Sequence, residues 1–161
     1  MRLFRPQPRI SLAGNGEADA IAALYIHAWE PLRGKVDDRL ISDQTPDGEE
    51  VAAWLRGGFE VFTATLDGVL VGVIRCSFPT GTCLVDRIAV TPEHNGDGVG
   101  RSLVEHAVAR ARRGGVTKVL VQAVPKLEDI VRLYRALGFR ESAHLRAHYW
   151  GEDGTLMELP L

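Results

Sequence analysis

Three glycines at alternate positions, Gly96, Gly98 and Gly100, lie between an apolar run that ends at Val90 and an amphipathic stretch that begins at Arg101. Because glycine has no Cβ, such a loop turns tightly and directs several backbone N–H groups to one point. The start of the following helix adds unpaired N–H groups and a partial positive charge. This combination predicts an anion site for phosphate or pyrophosphate, to which Arg101 adds a full charge. A turn that only connects strand to helix is the alternative.

Two common nucleotide-binding loops do not fit these glycines. A P-loop needs GxxxxGK followed by Ser or Thr, and no such pair follows here. A dinucleotide-binding turn needs GxGxxG and an acidic residue about twenty positions further on. The spacing here is GxGxG, and the next predicted strand offers only Gln122 near that distance. Both nucleotide interpretations are therefore excluded.

The elements that must position this loop follow from the period of the apolar residues. Ile21, Leu24, Tyr25 and Ala28 share helical spacing, and Pro31 marks the end of that first helix. Asp-Gly at 67–68 is typical of a tight hairpin turn. Further helices are predicted over about 46–55, 101–113 and 128–137, and strands over 59–66, 69–76, 84–90 and 116–124. The stretch 33–44 has no clear pattern, and 139–161 should hold two weaker strands around a turn at 151–154. The alternation of strands and helices predicts a mixed α/β domain.

Length and composition limit the number of domains and the class of protein. The 161 residues favour one domain over 1–161, and 45% hydrophobic with 25% charged residues is close to the globular average. A formal charge of −2 gives no electrostatic case for nucleic-acid binding. No apolar run is long enough for a membrane span, and charges and prolines in the first fourteen residues argue against export. We therefore expect a cytoplasmic domain. The five histidines show no metal-ligand spacing, so no metal is expected.

Two motifs in the right order resemble one known family. Ile88-Ala89-Val90 is followed by Thr91-Pro92 and by the loop Asn95-Gly96-Asp97-Gly98-Val99-Gly100. Downstream, Leu133-Tyr134-Arg135-Ala136-Leu137-Gly138-Phe139 is similar to the pattern LYxxLGF. The pair resembles the GNAT superfamily of acetyl-CoA-dependent N-acetyltransferases, with a close match over 84–140. The resemblance implies a central twisted mixed β-sheet flanked by helices and splayed at the acetyl-CoA site.

The resemblance also implies a reaction and a set of binding residues. An amine would attack the thioester of acetyl-CoA directly in a ternary complex. The positions that the family uses for the co-substrate are, in this sequence, Ile88, Ala89, Val90, Asn95, Gly96, Asp97, Gly98, Val99, Gly100, Arg101 and Ser102. Arg101 is expected to offset the carboxylate of Asp97. A non-catalytic acyl-CoA-binding sensor or interaction module on the same fold is the alternative.

Two residues are candidates for proton transfer. Tyr134 occupies the family's usual position for a general acid, although it also belongs to an apolar helical stripe typical of a core. Asp86 precedes the cofactor-binding stretch and is a candidate base, directly or through water. On a regular strand Asp86, Ile88 and Val90 share one face. An ion-pair partner at a strand edge is the alternative for Asp86.

The acceptor is the least readable part of the sequence. A small-molecule or peptide amine is expected, and a homodimer is common among members of the family. His148 and Tyr149 are candidates for the acceptor pocket, whereas His27 is interpreted as packed or solvated. The acidic stretch 37–50 is either a rim that favours a cationic amine or a solvated face. Cys76 and Cys83 are interpreted as reduced, buried thiols rather than a bridge or a nucleophile.

Overall fold

The computed structural model describes residues 6–161 as one seven-stranded sheet with helices on both faces. The strands are β1 (Arg9–Leu12), β2 (Glu60–Leu66), β3 (Val69–Ser77), β4 (Cys83–Val90), β5 (Lys118–Ala123), β6 (Arg140–Tyr149) and β7 (Glu152–Pro160). The helices are α1 (Ala18–Trp29), α2 (Asp38–Gln44), α3 (Gly48–Arg56), α4 (Val99–Arg113) and α5 (Glu128–Ala136). Within this range, no helix combines the length and the apolar character needed to cross a bilayer.

The sheet has the order β1-β2-β3-β4-β5-β7-β6, and only β4 and β5 pair in parallel. Their register covers three positions and ends at Val85 opposite Val121. Beyond that point β4 continues to Val90 and β5 to Ala123 without pairing to each other. The sheet is therefore mixed and splayed at its centre, as the resemblance implies.

Two cores cover the two faces of the sheet. α4 and α5 pack over one face around Leu103 and Tyr134, and α1 and α3 pack over the other around Tyr25 and Trp54. The start of α4 lies directly on β3, because a Cβ on Gly72 would be only 2.8 Å from Cγ1 of Val99. This close approach fixes the start of α4 beside the splayed strands.

A third, smaller core holds α2 near the splay. Val36, Leu40, Ile41 and Val124 are buried together, and Trp29, Leu32, Leu127 and Tyr149 pack against them. α2 occupies most of the stretch 33–44, for which the sequence had no clear pattern. Its seven residues are stabilised by the Asp37 side chain, which accepts from the Arg39 N–H, and by burial of Leu40 and Ile41.

Several predicted boundaries need correction. α4 begins at Val99, inside the predicted loop, since Gly98 in the left-handed conformation is its N-cap residue. The last hairpin turns at Trp150 and Gly151, both at positive φ, whereas 152–154 of the predicted turn belong to β7. β1 was not predicted. Its four residues are too few for a visible alternation, and it forms by pairing with β2.

Cys76 and Cys83 are free thiols, both fully buried in the core under α4. Contact with the Cys83 thiol and burial raise the pKa of Cys76. The sequence interpretation of two reduced, buried thiols agrees with this arrangement.

Candidate active site

A cleft of about 1330 Å³ opens where β4 and β5 separate. One end, called here the loop end, is lined by Asn95, Gly96 and residues 98–101 at the start of α4. The other, called here the hairpin end, is lined by Asp43, Arg87, Gln122 and Tyr149. Tyr134 lies in the wall of the same cleft. The glycine loop, Tyr134 and Tyr149, which the sequence analysis singled out separately, thus line one cavity.

The loop end presents backbone N–H groups. Gly98 has φ 84°, and the first intrahelical bond of α4 runs from the Ser102 N–H to the Gly98 carbonyl at 3.0 Å. The N–H groups of Val99, Gly100 and Arg101 precede that bond and have no intrahelical acceptor. The first turn of α4 contains no acidic residue. This geometry suits an anion, as the alternate glycines predict.

Nine of the eleven predicted co-substrate residues line the cleft. The two exceptions are Asp97 and Ser102. The Ser102 N–H is already used within α4. His94 also lines the cleft, although the sequence analysis did not select it. Its place follows from the short 3-10 helix Pro92–His94, which carries the chain from β4 into the loop.

Two close pairs of side chains lie at the loop end. Nδ1 of His94 lies 3.2 Å from Oδ2 of Asp97, so a histidine stands beside this carboxylate. Arg101 donates from Nε to Oε1 of Glu105 at 2.7 Å, an exposed pair one helical turn apart. The expected role of Arg101 in offsetting Asp97 stays a prediction.

The β5-facing edge of β4 is available beyond Val85. Residues 86–90 pair with β3 on one side, and no described strand pairs with them on the other. Ile88, Ala89 and Val90 line the cleft along this edge. Their main-chain groups can therefore bond an extended ligand with amides, as an added strand does.

A β-bulge changes the interpretation of Asp86. Val73 pairs with Ala89 and Arg75 with Asp86, so β4 carries one extra residue, and Arg87 within it has φ 53°. Alternation breaks there, which places Asp86 on the same face as Ala89. The prediction that Asp86 shares a face with Ile88 and Val90 is therefore wrong.

Asp86 forms a two-point ion pair. Its Oδ1 and Oδ2 each accept from Arg75, from Nε and Nη2, both at 2.8 Å. The Arg75 side chain is 11% exposed, and its guanidinium stacks over the rings of Trp54 and Phe59, at 4.5 and 4.2 Å from the centroids. Asp86 still lines the cleft. Of the two roles left open by the sequence, the observed contacts are those of an ion-pair partner.

Tyr134 is both a core residue and part of the cleft wall. It is 1% exposed and packs against Phe139 with ring centroids 5.4 Å apart, as a core residue does. It also lines the cleft. Burial, and then the charge of Asp86, raise the pKa of Tyr134 above its ordinary value. The phenol therefore stays protonated at neutral pH and is able to donate a proton.

The hairpin end is made of side chains from four elements. The Tyr149 hydroxyl donates to Oε1 of Gln122 at 2.6 Å. Arg87 donates from Nη1 to the main-chain carbonyl of Asp43, which ties β4 to α2. The Tyr25 hydroxyl, on α1, donates to the Arg87 carbonyl and stabilises the β4 bulge. Sequence analysis considered Gln122 only as the residue found where a dinucleotide-binding turn needs an acidic one, and it gave no role to Arg87.

The predicted acidic rim is mostly structural. Asp37 and Asp47 are N-cap residues of α2 and α3, and hydrogen bonds from Arg39 lower the pKa of Asp37 to about 2. Among the acidic residues of 37–50, only Asp43 lines the cleft. The solvated-face interpretation therefore holds for most of the stretch.

The histidines are peripheral to the hairpin end. His148 packs edge-on against Tyr149 without lining the cleft. Nε2 of His27 lies 2.7 Å from Oε1 of Glu93 in an exposed pair, which agrees with its interpretation as solvated. No group of three His, Cys, Asp or Glu residues suited to a metal ion occurs within 6–161.

Comparison with known proteins identifies the family. The Acetyltransferase (GNAT) family pattern matches residues 20–139. The chain is 32% identical over 78 residues to the ribosomal protein bS18-alanine N-acetyltransferase of Escherichia coli K12. That match covers 46% of this chain and 53% of the relative, so it spans about half of that relative's length. The chain is also 30% identical over 150 residues to streptothricin acetyltransferase of Streptomyces lavendulae, covering 88% and 77% of the two chains.

A solved structure extends the similarity to the whole fold. The Salmonella typhimurium protein yncA, solved with its cofactor acetyl-CoA, superposes with a TM-score of 0.79 at 26% identity. The superposition covers 97% of this chain and 95% of that protein. Since the family pattern spans most of the sequence and the fold agrees over nearly its full length, this chain belongs to the Acetyltransferase (GNAT) family.

Proposed function

We propose that this protein transfers the acetyl group of acetyl-CoA to a primary amine by direct attack in a ternary complex. The observation that carries the proposal is the single cleft. It joins an anion-suited helix start to the splay of β4 and β5, with Tyr134 in its wall. Family membership supports acetyl transfer, and the superposed yncA structure contains acetyl-CoA.

The residues of the cleft fit acetyl-CoA. A Cβ on Gly100 would lie 3.3 Å from Cδ2 of Leu133, so a side chain there would crowd the space in front of the α4 N-terminus. The N–H groups of Val99, Gly100 and Arg101 would hold the pyrophosphate. The free edge of Ile88–Val90 would bond the pantetheine amides. When bound, acetyl-CoA supplies a thioester whose carbonyl carbon an amine can attack.

Tyr134 would supply the proton that the departing sulfur needs. As the N–C bond forms and the C–S bond breaks, the electron pair stays on sulfur, and the Tyr134 hydroxyl donates its proton there. The phenol is protonated at neutral pH, so its proton is present when the sulfur departs. Holding both reactants in line lowers the activation barrier further, by about 7–11 kcal/mol in favourable cases.

Asp86 would act on the amine through its charge. Both of its oxygens accept from Arg75, so accepting a proton directly would cost one of these bonds. We assign Asp86 the role of a carboxylate that attracts the protonated amine into the cleft, with the proton leaving through water.

A homodimer and a cytoplasmic location stay predictions.

The proposal is tested by measuring thiol release from acetyl-CoA across a panel of small amines and peptides with free N-termini. We expect thiol release that depends on the acceptor, with one acetylated product per thiol. CoA binding by calorimetry without acceptor-dependent thiol release would contradict transfer. That result would favour the non-catalytic acyl-CoA-binding module on the same fold.

A further inference from the structure

Three features of the β6–β7 hairpin hold Tyr149 in the cleft. The register with β7 shifts between Leu145 and Tyr149, where Ala147 adopts φ 49°. The Ala147 N–H donates to Oδ1 of Asp153 at 2.9 Å, which fixes this irregular segment. A Cβ on Gly154 would lie 2.7 Å from Cε2 of the Tyr149 ring, so only glycine leaves room for the ring. The hairpin thus departs from regular geometry where Tyr149 must reach the cleft.

The hydrogen bond between Tyr149 and Gln122 determines what both side chains offer. The hydroxyl donates its only hydrogen to Oε1 of Gln122 at 2.6 Å. The lone pairs of the phenolic oxygen remain available as acceptors, and the two hydrogens on Nε2 of Gln122 remain available as donors. The pair therefore presents one acceptor and one donor side by side.

This pair lies where β4 and β5 separate, near the proposed acid. Gln122 directly follows Val121, where the pairing of β5 with β4 ends. The charge of Asp86 contributes, after burial, to raising the pKa of Tyr149 to about 12, and Tyr149 in turn contributes to the raised pKa of Tyr134. Tyr149 is therefore within electrostatic reach of the proposed acid. Its hydroxyl stays protonated at neutral pH and keeps donating to Gln122.

An attacking amine makes specific demands on such a pair. Its lone pair must point at the thioester carbon, so an N–H of the amine needs an acceptor on another side. The phenolic oxygen of Tyr149 can fill that place. The Nε2 donors of Gln122 then need an oxygen close to the amine, and a carbonyl on the carbon next to the amine-bearing carbon supplies one.

We propose that Tyr149 and Gln122 form a two-point subsite that selects acceptors with an α-aminoacyl group. This inference rests on the proposed function and names the acceptor chemistry of the same cleft. The amine N–H is donated to the Tyr149 hydroxyl oxygen, and Nε2 of Gln122 donates to the neighbouring acceptor carbonyl. A free amino acid, its amide and the N-terminal residue of a peptide all carry this group.

The test compares matched acceptors in steady-state kinetics. Alanine, alaninamide and a dipeptide with N-terminal alanine carry the carbonyl, whereas isopropylamine lacks it. Rates are expressed per concentration of neutral amine, because the four amines differ in pKa. We expect kcat/KM for alaninamide to exceed that for isopropylamine by about tenfold, the value of one good hydrogen bond. Comparing kcat/KM for alanine and for the dipeptide then shows whether the site prefers a free amino acid or the N-terminus of a peptide.

Variants assign the preference to the pair. Gln122→Met keeps the length of the side chain and removes the donor, so the ratio of alaninamide to isopropylamine should fall to near one. Gln122→Glu retains an acceptor for Tyr149 but places a carboxylate oxygen opposite the carbonyl, and the ratio should fall at least as far. Gln44→Met is the matched control, since Gln44 also lines the cleft but donates to Oδ2 of its neighbour Asp43 at 3.2 Å. It should keep the wild-type ratio.

The outcomes separate the two proposals. Thiol release with all four amines at equal kcat/KM would overturn the α-aminoacyl subsite and leave acetyl transfer intact. A preference that survives in folded Gln122→Met and Gln122→Glu would overturn the assignment to Gln122. No thiol release with any acceptor would overturn the proposed function, and the subsite with it.

Discussion

The two ends of the cleft are built from different parts of the chain. The loop end consists of consecutive residues, and its donors are backbone N–H groups at the start of α4. The hairpin end consists of side chains from α2, β4, β5 and β6, which meet only in the folded protein. Backbone donors do not depend on side-chain type, whereas the hairpin end changes with each substitution. The loop end suits a ligand that stays the same, and the hairpin end suits one that differs between relatives.

Tyr134 lines the same cleft and gives the largest expected effect. Tyr134→Phe keeps the ring and its packing on Phe139 but removes the proton that the sulfur needs. We expect kcat to fall by at least roughly tenfold where thiolate departure limits the rate, with little change in KM for acetyl-CoA. Stability should change by only about 1 kcal/mol, the value of one hydrogen bond.

Steady-state kinetics beside a melting curve check this prediction. A folded Tyr134→Phe protein that turns over as fast as the wild type would remove Tyr134 from the mechanism. Water would then be the acid, and Tyr134 would belong only to the core.

Substitution of Asp86 tests whether its ion pair with Arg75 stabilises the fold. In Asp86→Asn the largely buried Arg75 guanidinium loses its anionic partner, so the free energy of unfolding should fall by about 1–3 kcal/mol. Glu105→Gln is the matched control, because it neutralises the exposed partner of Arg101 at the loop end. That change should cost no more than about 0.5 kcal/mol.

Denaturant unfolding of both variants measures the difference. Equal losses would show that the Arg75–Asp86 pair stabilises the fold no more than a surface pair. Acid–base groups typically contribute about 10²–10⁴-fold to the rate. If a stable Asp86→Asn protein lost activity within that range, Asp86 would instead be the base.

The smallest effect concerns the alkaline limit of stability. The folded pKa of Tyr134 lies above the unfolded value near 10, so the unfolded chain loses this proton first as pH rises. Stability from Tyr134 is therefore fully present below about pH 10 and is lost as pH rises from there toward the folded pKa. Above pH 10 the unfolding free energy of Tyr134→Phe should fall less steeply with pH than that of the wild type. The difference in slope should correspond to one proton released on unfolding. Equal slopes in the two proteins would contradict burial of an un-ionised phenol.

Sequence pattern predicted the loop end because that end is local. Alternate glycines, an apolar strand before them and an amphipathic helix after them lie within about twenty residues, and each has a direct conformational meaning. The long periodic helices and the hairpin at Asp67-Gly68 were predicted for the same reason. The start of α4 differed by two residues, since Val99 and Gly100 carry no helical signal of their own.

The hairpin end was not predictable in the same way. One bulge at Arg87 turns Asp86 to the opposite face of β4, and another near Ala147 brings Tyr149 into the cleft. A bulge is decided by packing and hydrogen bonding across strands, such as the Tyr25 bond to the Arg87 carbonyl. Single-sequence alternation assumes a regular strand and therefore misplaces every residue on one side of the bulge.

The most direct test of a backbone-built loop end compares CoA affinity in Gly98→Asp and Gly98→Asn by calorimetry. The two side chains have the same shape, and both tolerate the left-handed conformation of Gly98. Apart from the two neighbouring residues in the chain, no described heavy atom lies within 4 Å of the added Cβ. Only their charge differs. The Asp variant should be at least as stable as the Asn variant, because a carboxylate at a helix N-terminus is favourable. It should nevertheless bind CoA at least roughly tenfold more weakly, since its charge faces the phosphates. Equal CoA affinity in the two folded variants would contradict phosphate binding at the start of α4.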